Sequence, residues 1–289
     1  MKRNVLNSPG LLELKKRRHK VFLNKILILL IVVLAFFILL VFLSRLKNIN
    51  ISEVDIVGNK VLDTETLKSA VDKKISGKYI WLFPKTNIFI YPQNTIKNEL
   101  QNEFKRIKNI NLKIKDTKTL GISLIEREAK YTWCGSTDVG RPNFGRPTSV
   151  DNTEQCYFVD EDGYVFDQAP YFSGNVYFKF YGTQSESYFS KQNFKQLILF
   201  RDVLVGMGLK PIAMYATNDG DLQVFLSGKN SSGTEPKIIL KADADFQNVA
   251  ENLQAALDTE PLKSKFKNKY STLEYIDLRF GNKVYDKFQ

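Results

Sequence analysis

A run of eighteen apolar residues, ILILLIVVLAFFILLVFL (26–43), constrains this chain more than any other feature. As an α-helix it would measure roughly 27 Å at about 1.5 Å per residue, which is close to the hydrocarbon thickness of a bilayer. Lys25 and Arg45 bracket the run, and charged residues of this kind are expected at the two membrane surfaces. The sequence therefore predicts a single transmembrane helix over residues 26–44.

The distribution of charge predicts how this helix is oriented. Residues 1–25 hold eight cationic side chains and one acidic side chain, so they carry +7 (8 − 1) of the net charge of +11 and leave +4 for the rest. Because cationic flanks stay on the cytoplasmic side, we predict a basic cytoplasmic tail over 1–25, an extracytoplasmic remainder and no nucleic-acid partner. A cleaved signal peptide is the alternative. It would have a shorter apolar region and a small-x-small site, unlike Ser44-Arg45-Leu46.

The chain has two cysteines, and both fall on the predicted outer side. Cys134 ends the segment KYTWC and Cys156 begins CYFVD, with a stretch rich in Gly, Pro, Ser and Thr between them. An oxidising compartment and this placement at two strand ends favour a disulfide over a pair of half-buried thiols.

The outer part reads as two domains of an α+β protein. Residues 49–127 give the order β-α-α-β-β: a strand ending at Gly58-Asn59, a helix capped by Asp63, a helix from Pro92, and a hairpin. The second helix presents an apolar face made of Ile96, Leu100, Phe104 and Ile107.

The sequence pattern of residues 128–289 predicts a mixed α/β domain with a predominantly antiparallel sheet. Hairpins are expected to turn at Asp162-Gly163 and at 218–220, and helices to cover about 190–207 and 245–257.

The final segment, STLEYIDLRFGNKVYDKFQ (271–289), alternates with a period of two. One face holds Ile276, Leu278, Phe280, Val284 and Phe288, and the other holds Tyr275, Asp277, Arg279, Lys283, Tyr285 and Lys287. The alternation favours one continuous edge strand, while Gly281-Asn282 would also suit a two-residue hairpin turn. Lys283 and Lys287 would protect such an edge from aggregation.

The available side chains argue against most catalytic chemistry. The single histidine, His19, lies in the predicted cytoplasmic tail, so the outer part has neither a histidine-based catalytic group nor a histidine zinc ligand. The acidic stretch DEDG (160–163) fits a hairpin turn better than a calcium loop. A glycosidase pair such as Glu126 with Asp160 is an open alternative that no spacing proposes. We therefore predict no enzyme, no cofactor and no metal site.

An aromatic series lies between the two helices of the first outer domain. It consists of Tyr79, Trp81, Phe83, Phe89 and Tyr91. Core and edge packing is the favoured interpretation, and a binding stripe or a membrane-interface contact is the alternative.

Four motifs in this order, behind this topology, resemble the bacterial cell-division protein family FtsQ/DivIB. They are VDIVGNKVLDTETLKSAV (54–71), KTLGISLIEREAKYTW (118–133), YFVDEDGYVF (157–166) and YIDLRFGNKVY (275–285). The resemblance covers essentially the whole chain. It implies a POTRA domain (polypeptide-transport-associated) followed by a β domain, in a non-enzymatic scaffold of the division septum.

The resemblance also implies partners, namely FtsB/DivIC-like and FtsL-like divisome proteins besides the lipid bilayer; weak self-association stays open. We predict that the last segment binds them by strand addition. The predicted partner-binding residues are Tyr275, Asp277, Arg279, Phe280, Asn282, Lys283, Val284 and Tyr285. The alternatives are a membrane-anchored cell-wall or polysaccharide enzyme that uses carboxylates, and a POTRA-containing export component.

Overall fold

The computed structural model describes residues 9–135, 155–170, 172, 176–182, 188–190, 193–228, 230 and 233–289, with side chains from residue 17 onward. The chain divides into two compact units, Met1–Glu126 and Arg127–Gln289. It has the mixed α+β fold that the sequence predicts, with one long apolar helix and a large, mostly antiparallel sheet. The first eight residues of the predicted tail, and residues 136–154 between the two cysteines, lie outside the described residues.

The first unit begins with a single long helix, α1 (Pro9–Ser44). Its segment Arg17–Ser44 is long and apolar enough to cross a membrane, and within the described part of the chain it is the one helix with that property. The helix continues from the apolar run back into the basic tail. This continuity follows from the sequence, because residues 11–43 contain no glycine or proline.

The rest of the first unit is a small sheet with two helices. Its elements are β1 (Glu53–Val57), α2 (Thr64–Ile75), β2 (Lys78–Tyr79), β3 (Phe83–Pro84), α3 (Gln93–Glu103), β4 (Ile107–Ile114) and β5 (Thr119–Glu126). The main sheet has the order β1-β5-β4, with β1 parallel and β4 antiparallel to β5. Strands β2 and β3 form a separate short hairpin between the helices, which the predicted β-α-α-β-β order does not include.

Local signals account for the ends of these elements. The Asp63 carboxylate accepts a hydrogen bond from the Thr66 N–H (2.8 Å) and caps α2, as predicted. Ile96 and Leu100 are buried on α3, also as predicted. Ile107 does not continue that face, because Phe104 leaves helical geometry and Ile107 becomes the first residue of β4.

Glu126 fixes the loop that follows β1. Its Oε1 accepts hydrogen bonds from the backbone N–H groups of Lys60 (2.7 Å) and Leu62 (3.0 Å), and its Oε2 accepts one from Val61 (3.0 Å). Burial by itself would raise the pKa of Glu126, but these three backbone donors outweigh it and hold the pKa below its ordinary value. The carboxylate is thus an ionised structural acceptor inside the first unit.

The second unit is built on one large sheet. Its strands are β6 (Tyr131–Gly135), β7 (Gln155–Val159), β8 (Val165–Ala169), β9 (Phe178–Gly182), β10 (Pro211–Ala216), β11 (Asp221–Leu226), β12 (Lys237–Lys241), β13 (Leu273–Phe280) and β14 (Lys283–Phe288). Among the described residues these nine strands lie in the order β14-β13-β12-β11-β10-β9-β6-β7-β8. The pairs β12–β13, β9–β10 and β6–β9 are parallel, and the other five are antiparallel.

Three helices of the second unit contribute to its core. They are α4 (Phe194–Gly206), α5 (Phe246–Leu257) and α6 (Leu262–Lys269). Apolar side chains of α4 and α5 pack with the central strands in one buried cluster that includes Phe180, Phe200 and Ile276. The hairpins predicted at Asp162-Gly163 and at residues 218–220 are both confirmed.

Cys134 and Cys156 face each other across β6 and β7 and form a disulfide. The bond joins residues 22 positions apart in sequence. A crosslink over a loop of this length stabilises the folded state by about 3 kcal/mol in the chain-entropy account.

Replacing Glu126 by glutamine tests the loop contact. A neutral amide retains one acceptor oxygen and sets an NH₂ group against backbone donors, so the opening free energy of residues 60–62 should fall by about 1–3 kcal/mol. Hydrogen exchange of the full-length protein in detergent measures this loss as faster exchange of those three amides.

Glu128→Gln is the matched control, because Glu128 contacts Lys130 at the surface and its side chain is 59% exposed. Its effect should stay within about 0.5 kcal/mol. Equal exchange rates in the two variants would contradict the structural role of Glu126.

Candidate partner-binding edge at the C terminus

The C-terminal segment forms a hairpin, which is the alternative at Gly281-Asn282 and not the continuous strand that the alternation favours. Strand β13 ends at Phe280 and β14 begins at Lys283, and Gly281 takes a positive φ of 65° in the turn. Gly281 and Asn282 supply the short polar turn that hairpins favour. Antiparallel pairing of the two halves satisfies backbone groups that a single strand would leave exposed.

Strand β14 is nevertheless an edge of the sheet. One side of β14 pairs with β13, and no other described strand pairs with its second side. An edge of this kind offers backbone N–H and C=O groups to an added strand.

The side chains of β14 alternate between the core and the exterior. Val284 and Phe288 pack against the main buried cluster, whereas Lys283, Tyr285 and Lys287 are exposed. The side chain of Val284 is half-buried against the core, and its role in partner binding stays a prediction.

An aromatic pair lies on the exposed part of the hairpin. The rings of Phe280 and Tyr285 meet edge to face with centroids 5.4 Å apart, and the residues are 55% and 49% exposed. Phe280 was predicted on the core face. The pairing shifts register between Asp277 and Phe280, and this irregularity explains how Phe280 leaves that face. Asn282 is exposed in the turn beside the pair.

Asp277 and Arg279 belong to an internal charge network and not to a free outer face. Asp277 is only 5% exposed, and the Arg279 guanidinium donates to both of its oxygens (Nε to Oδ1, 2.9 Å; Nη2 to Oδ2, 2.6 Å). Arg279 Nη1 also donates to Asp221 on β11 (2.6 Å), and Lys241 on β12 donates to the same carboxylate (2.6 Å). Two carboxylates and two cations thus join three neighbouring strands with no net charge.

This network keeps its acids ionised. Burial opposes ionisation of Asp277, but the hydrogen bonds and charge of Arg279 outweigh burial and lower the pKa. Asp221 has its pKa lowered in the same way by Lys241 and Arg279. The hydrogen bonds that the Arg279 guanidinium donates to both carboxylates raise the pKa of Arg279 far above its ordinary value. Sequence reasoning missed Asp221 and Lys241, because neither residue carries a signal that links it to a strand about 40 to 60 positions away.

Further ion pairs attach β14 to its neighbours. Lys287 pairs with Glu274 on β13 (2.7 Å), and Lys265 on α6 pairs with Asp286 (2.9 Å). Tyr275 is half-buried and lies opposite Lys287 in the register. The edge strand β14 is therefore held by ion pairs to both β13 and α6.

The other candidate site, a carboxylate pair of Glu126 and Asp160, does not hold free acids. Asp160 is 2% exposed, pairs with Arg127 (2.5 Å) and accepts from the N–H groups of Asp162 and Tyr164 (2.9 Å each). The Glu126 carboxylate accepts hydrogen bonds from the backbone N–H groups of residues 60–62 within the first unit. Within the described residues, no group of three or more acidic, cysteine or histidine side chains is placed to hold a metal ion.

No protein-family model matches the chain, and no curated protein matches it significantly.

Replacing Arg279 by methionine tests the network. Asp277 would lose both guanidinium donors and keep only the backbone N–H of residue 279 (3.1 Å) while staying buried, so at pH 7 the opening free energy of β13 should fall by about 1–3 kcal/mol. Lowered pKa values give stability that is present above the unfolded pKa, about 3.9 for Asp, and is lost as pH falls through the folded pKa. The difference between wild type and variant should therefore be full at pH 7 and shrink below about pH 4.

Hydrogen exchange of the β13 amides between pH 7 and pH 3 measures this difference. Lys130→Met is the control, because it removes the same charge from an exposed pair with Glu128 in the same unit. A pH-independent loss in Arg279→Met would show that the guanidinium acts by packing alone.

Proposed function

We propose that this chain is a non-enzymatic, membrane-anchored scaffold of the bacterial divisome. It holds FtsB/DivIC-like and FtsL-like partners at the edge strand β14 and helps to control septal peptidoglycan synthesis. The observation that carries the proposal is the ordered edge strand β14 with the exposed Phe280–Tyr285 pair beside it. The sequence motifs that resemble the FtsQ/DivIB family give the partner class.

The edge has what strand addition needs. Main-chain groups of β14 supply affinity that does not depend on sequence, and the side chains beside them supply specificity. Aromatic residues dominate protein–protein contacts because they bury a large area with few rotatable bonds. Lys283 adds a positive charge at the start of the strand.

The anchor and the location belong to the same proposal. The apolar run of α1 crosses the cell membrane once, the basic residues before that run stay in the cytoplasm, and the residues after α1 lie on the outer side. Residues 49–127 act as a POTRA-like domain, and the protein collects at the division septum. The enzymatic alternative needs two free acids, and Glu126 and Asp160 are both bound to backbone donors.

Alanine substitution of the aromatic pair tests the edge. Tyr285→Ala and Phe280→Ala remove exposed side chains, so the fold should be retained while affinity for the FtsB/FtsL-type pair falls about tenfold or more, as for aromatic hot spots. Binding of the full-length protein to the purified partner pair from the same cell measures this loss. Leu199→Ala, which changes a 64% exposed residue on α4, is the control and should bind normally.

Proline at adjacent positions of β14 tests strand addition itself. Backbone N–H groups of successive residues point to opposite sides of a strand, so one of Tyr285→Pro and Asp286→Pro removes a donor from the free edge. That variant should keep the β13 pairing but lose the partner. Unchanged affinity in both proline variants and both alanine variants would refute the proposal.

A further inference from the structure

The hairpin β2–β3 turns on two residues that are unusual in such a turn. The Leu82 N–H donates to the Tyr79 carbonyl (3.0 Å), and the two central residues, Ile80 and Trp81, have φ values of 47° and 61°. Turns with two positive φ values favour Asn-Gly, and a β-branched residue in this region is a genuine outlier. Folding of the hairpin therefore does not explain why an isoleucine and a tryptophan lie here.

These side chains project into the surroundings. Ile80 is 85% exposed, Trp81 is 87% exposed and Phe89 is 77% exposed, which makes them the most exposed large apolar residues in the described part of the chain. Even the residues of α1 are less exposed. The predicted core and edge packing is wrong for Trp81 and Phe89, because both side chains are largely exposed.

The hairpin lies against the apolar helix. The rings of Phe83 and Phe37 meet edge to face with centroids 5.8 Å apart. Phe37 precedes Arg45 by eight residues, so the contact lies about 12 Å along the helix from its charged end. The Arg45 guanidinium also reaches the Leu82 carbonyl (3.4 Å).

The segment that carries Phe89 is attached to the same end of α1. Asn87, which is 3% exposed, donates from Nδ2 to the Ser44 carbonyl (3.1 Å), and its Oδ1 accepts from the Phe89 N–H (3.0 Å). Both exposed aromatic sites are thus fixed beside the last turns of one helix.

We propose that Ile80, Trp81 and Phe89 insert into the lipid interface around the outer end of α1. This inference rests on the proposed membrane anchor. Bilayer lipid is the occupant because Phe83 lies alongside Phe37 within the apolar run, a level that a soluble partner does not reach. Tryptophan is enriched at membrane interfaces, and the neighbouring Lys78 and Lys85 suit anionic headgroups.

The consequence is a second lipid contact that holds the first unit against the membrane. An apolar interfacial element lies about 5–10 Å deep at the headgroup boundary. The contact of Phe83 with Phe37, about 12 Å along α1 from Arg45, lies just beyond this depth, and the hairpin turn can lie within it.

Quenching of tryptophan fluorescence by brominated lipid tests the insertion. The chain has two tryptophans, so Trp133→Phe leaves Trp81 as the single reporter in the full-length protein. In phosphatidylcholine–phosphatidylglycerol vesicles, bromine near the headgroup end of the acyl chains should reduce Trp81 fluorescence by about half, and bromine near the chain ends should reduce it less.

Two further variants complete this experiment. In each, both native tryptophans are replaced (Trp81→Phe and Trp133→Phe) and one new tryptophan is introduced elsewhere. Phe37→Trp reports insertion of α1 and should be quenched. Val61→Trp is the control. Val61 is 67% exposed and follows the end of β1 that is remote from α1, about 17 Å along that strand. A tryptophan at this position should therefore not be quenched. Quenching at Phe37→Trp without quenching at Trp81 would overturn the lipid contact and leave the anchor intact. No quenching at either position would overturn both.

A double substitution separates membrane contact from folding. Ile80→Asn with Trp81→Gly installs the residues that this turn favours, so hydrogen exchange over residues 77–87 should be unchanged or slower. Exchange that became about tenfold faster would mean that Ile80 and Trp81 serve the fold, and would contradict the proposal.

Discussion

The pairing of Arg279 with two carboxylates is the interaction on which the C-terminal edge depends. Asp277 is buried, and a buried carboxylate without a partner is strongly unfavourable. By binding Asp277 and Asp221 together, Arg279 ties β13 to β11 across the strand between them. Strand β14 then pairs with a fixed neighbour. An edge that is already ordered costs less conformational entropy when a second strand is added to it.

Local signals in the sequence predict most of the elements, because their causes lie within a few residues. Asp63 and Asp245 accept hydrogen bonds from backbone N–H groups at the start of their helices. Gly163 and Gly220 take positive φ values in the predicted hairpin turns. The mixed α+β class follows from counting such elements.

Alternation alone could not predict the surroundings of the last segment. A period of two placed Asp277 and Arg279 on a face assumed to be open, and the residue that engages Arg279 from another strand is Asp221, 58 positions earlier. Trp81 illustrates the same limit. An apolar residue in an apolar run is expected to lie in the core. Only the tertiary position of the β2–β3 hairpin shows that the Trp81 side chain is exposed.

The motifs that resemble the FtsQ/DivIB family correspond to structural contacts. Asn59 donates to the Leu62 carbonyl and to the Thr64 hydroxyl, both at 2.9 Å. Arg127 pairs with Asp160 and stacks over the Tyr164 ring at 3.7 Å. Residues of this kind specify how the backbone turns. They carry information about the fold, whereas the proposed partner recognition uses the exposed side chains of the C-terminal hairpin.

The disulfide between Cys134 and Cys156 has a consequence for how the sheet opens and closes. The bond joins β6 and β7 at residues that already face each other in the sheet. Because the bond is present in the unfolded chain as well, the entropy of bringing these two residues together is not lost again on folding. The hydrogen bonds between β6 and β7 can therefore break and re-form while Cys134 stays beside Cys156, so the two strands return to the same register.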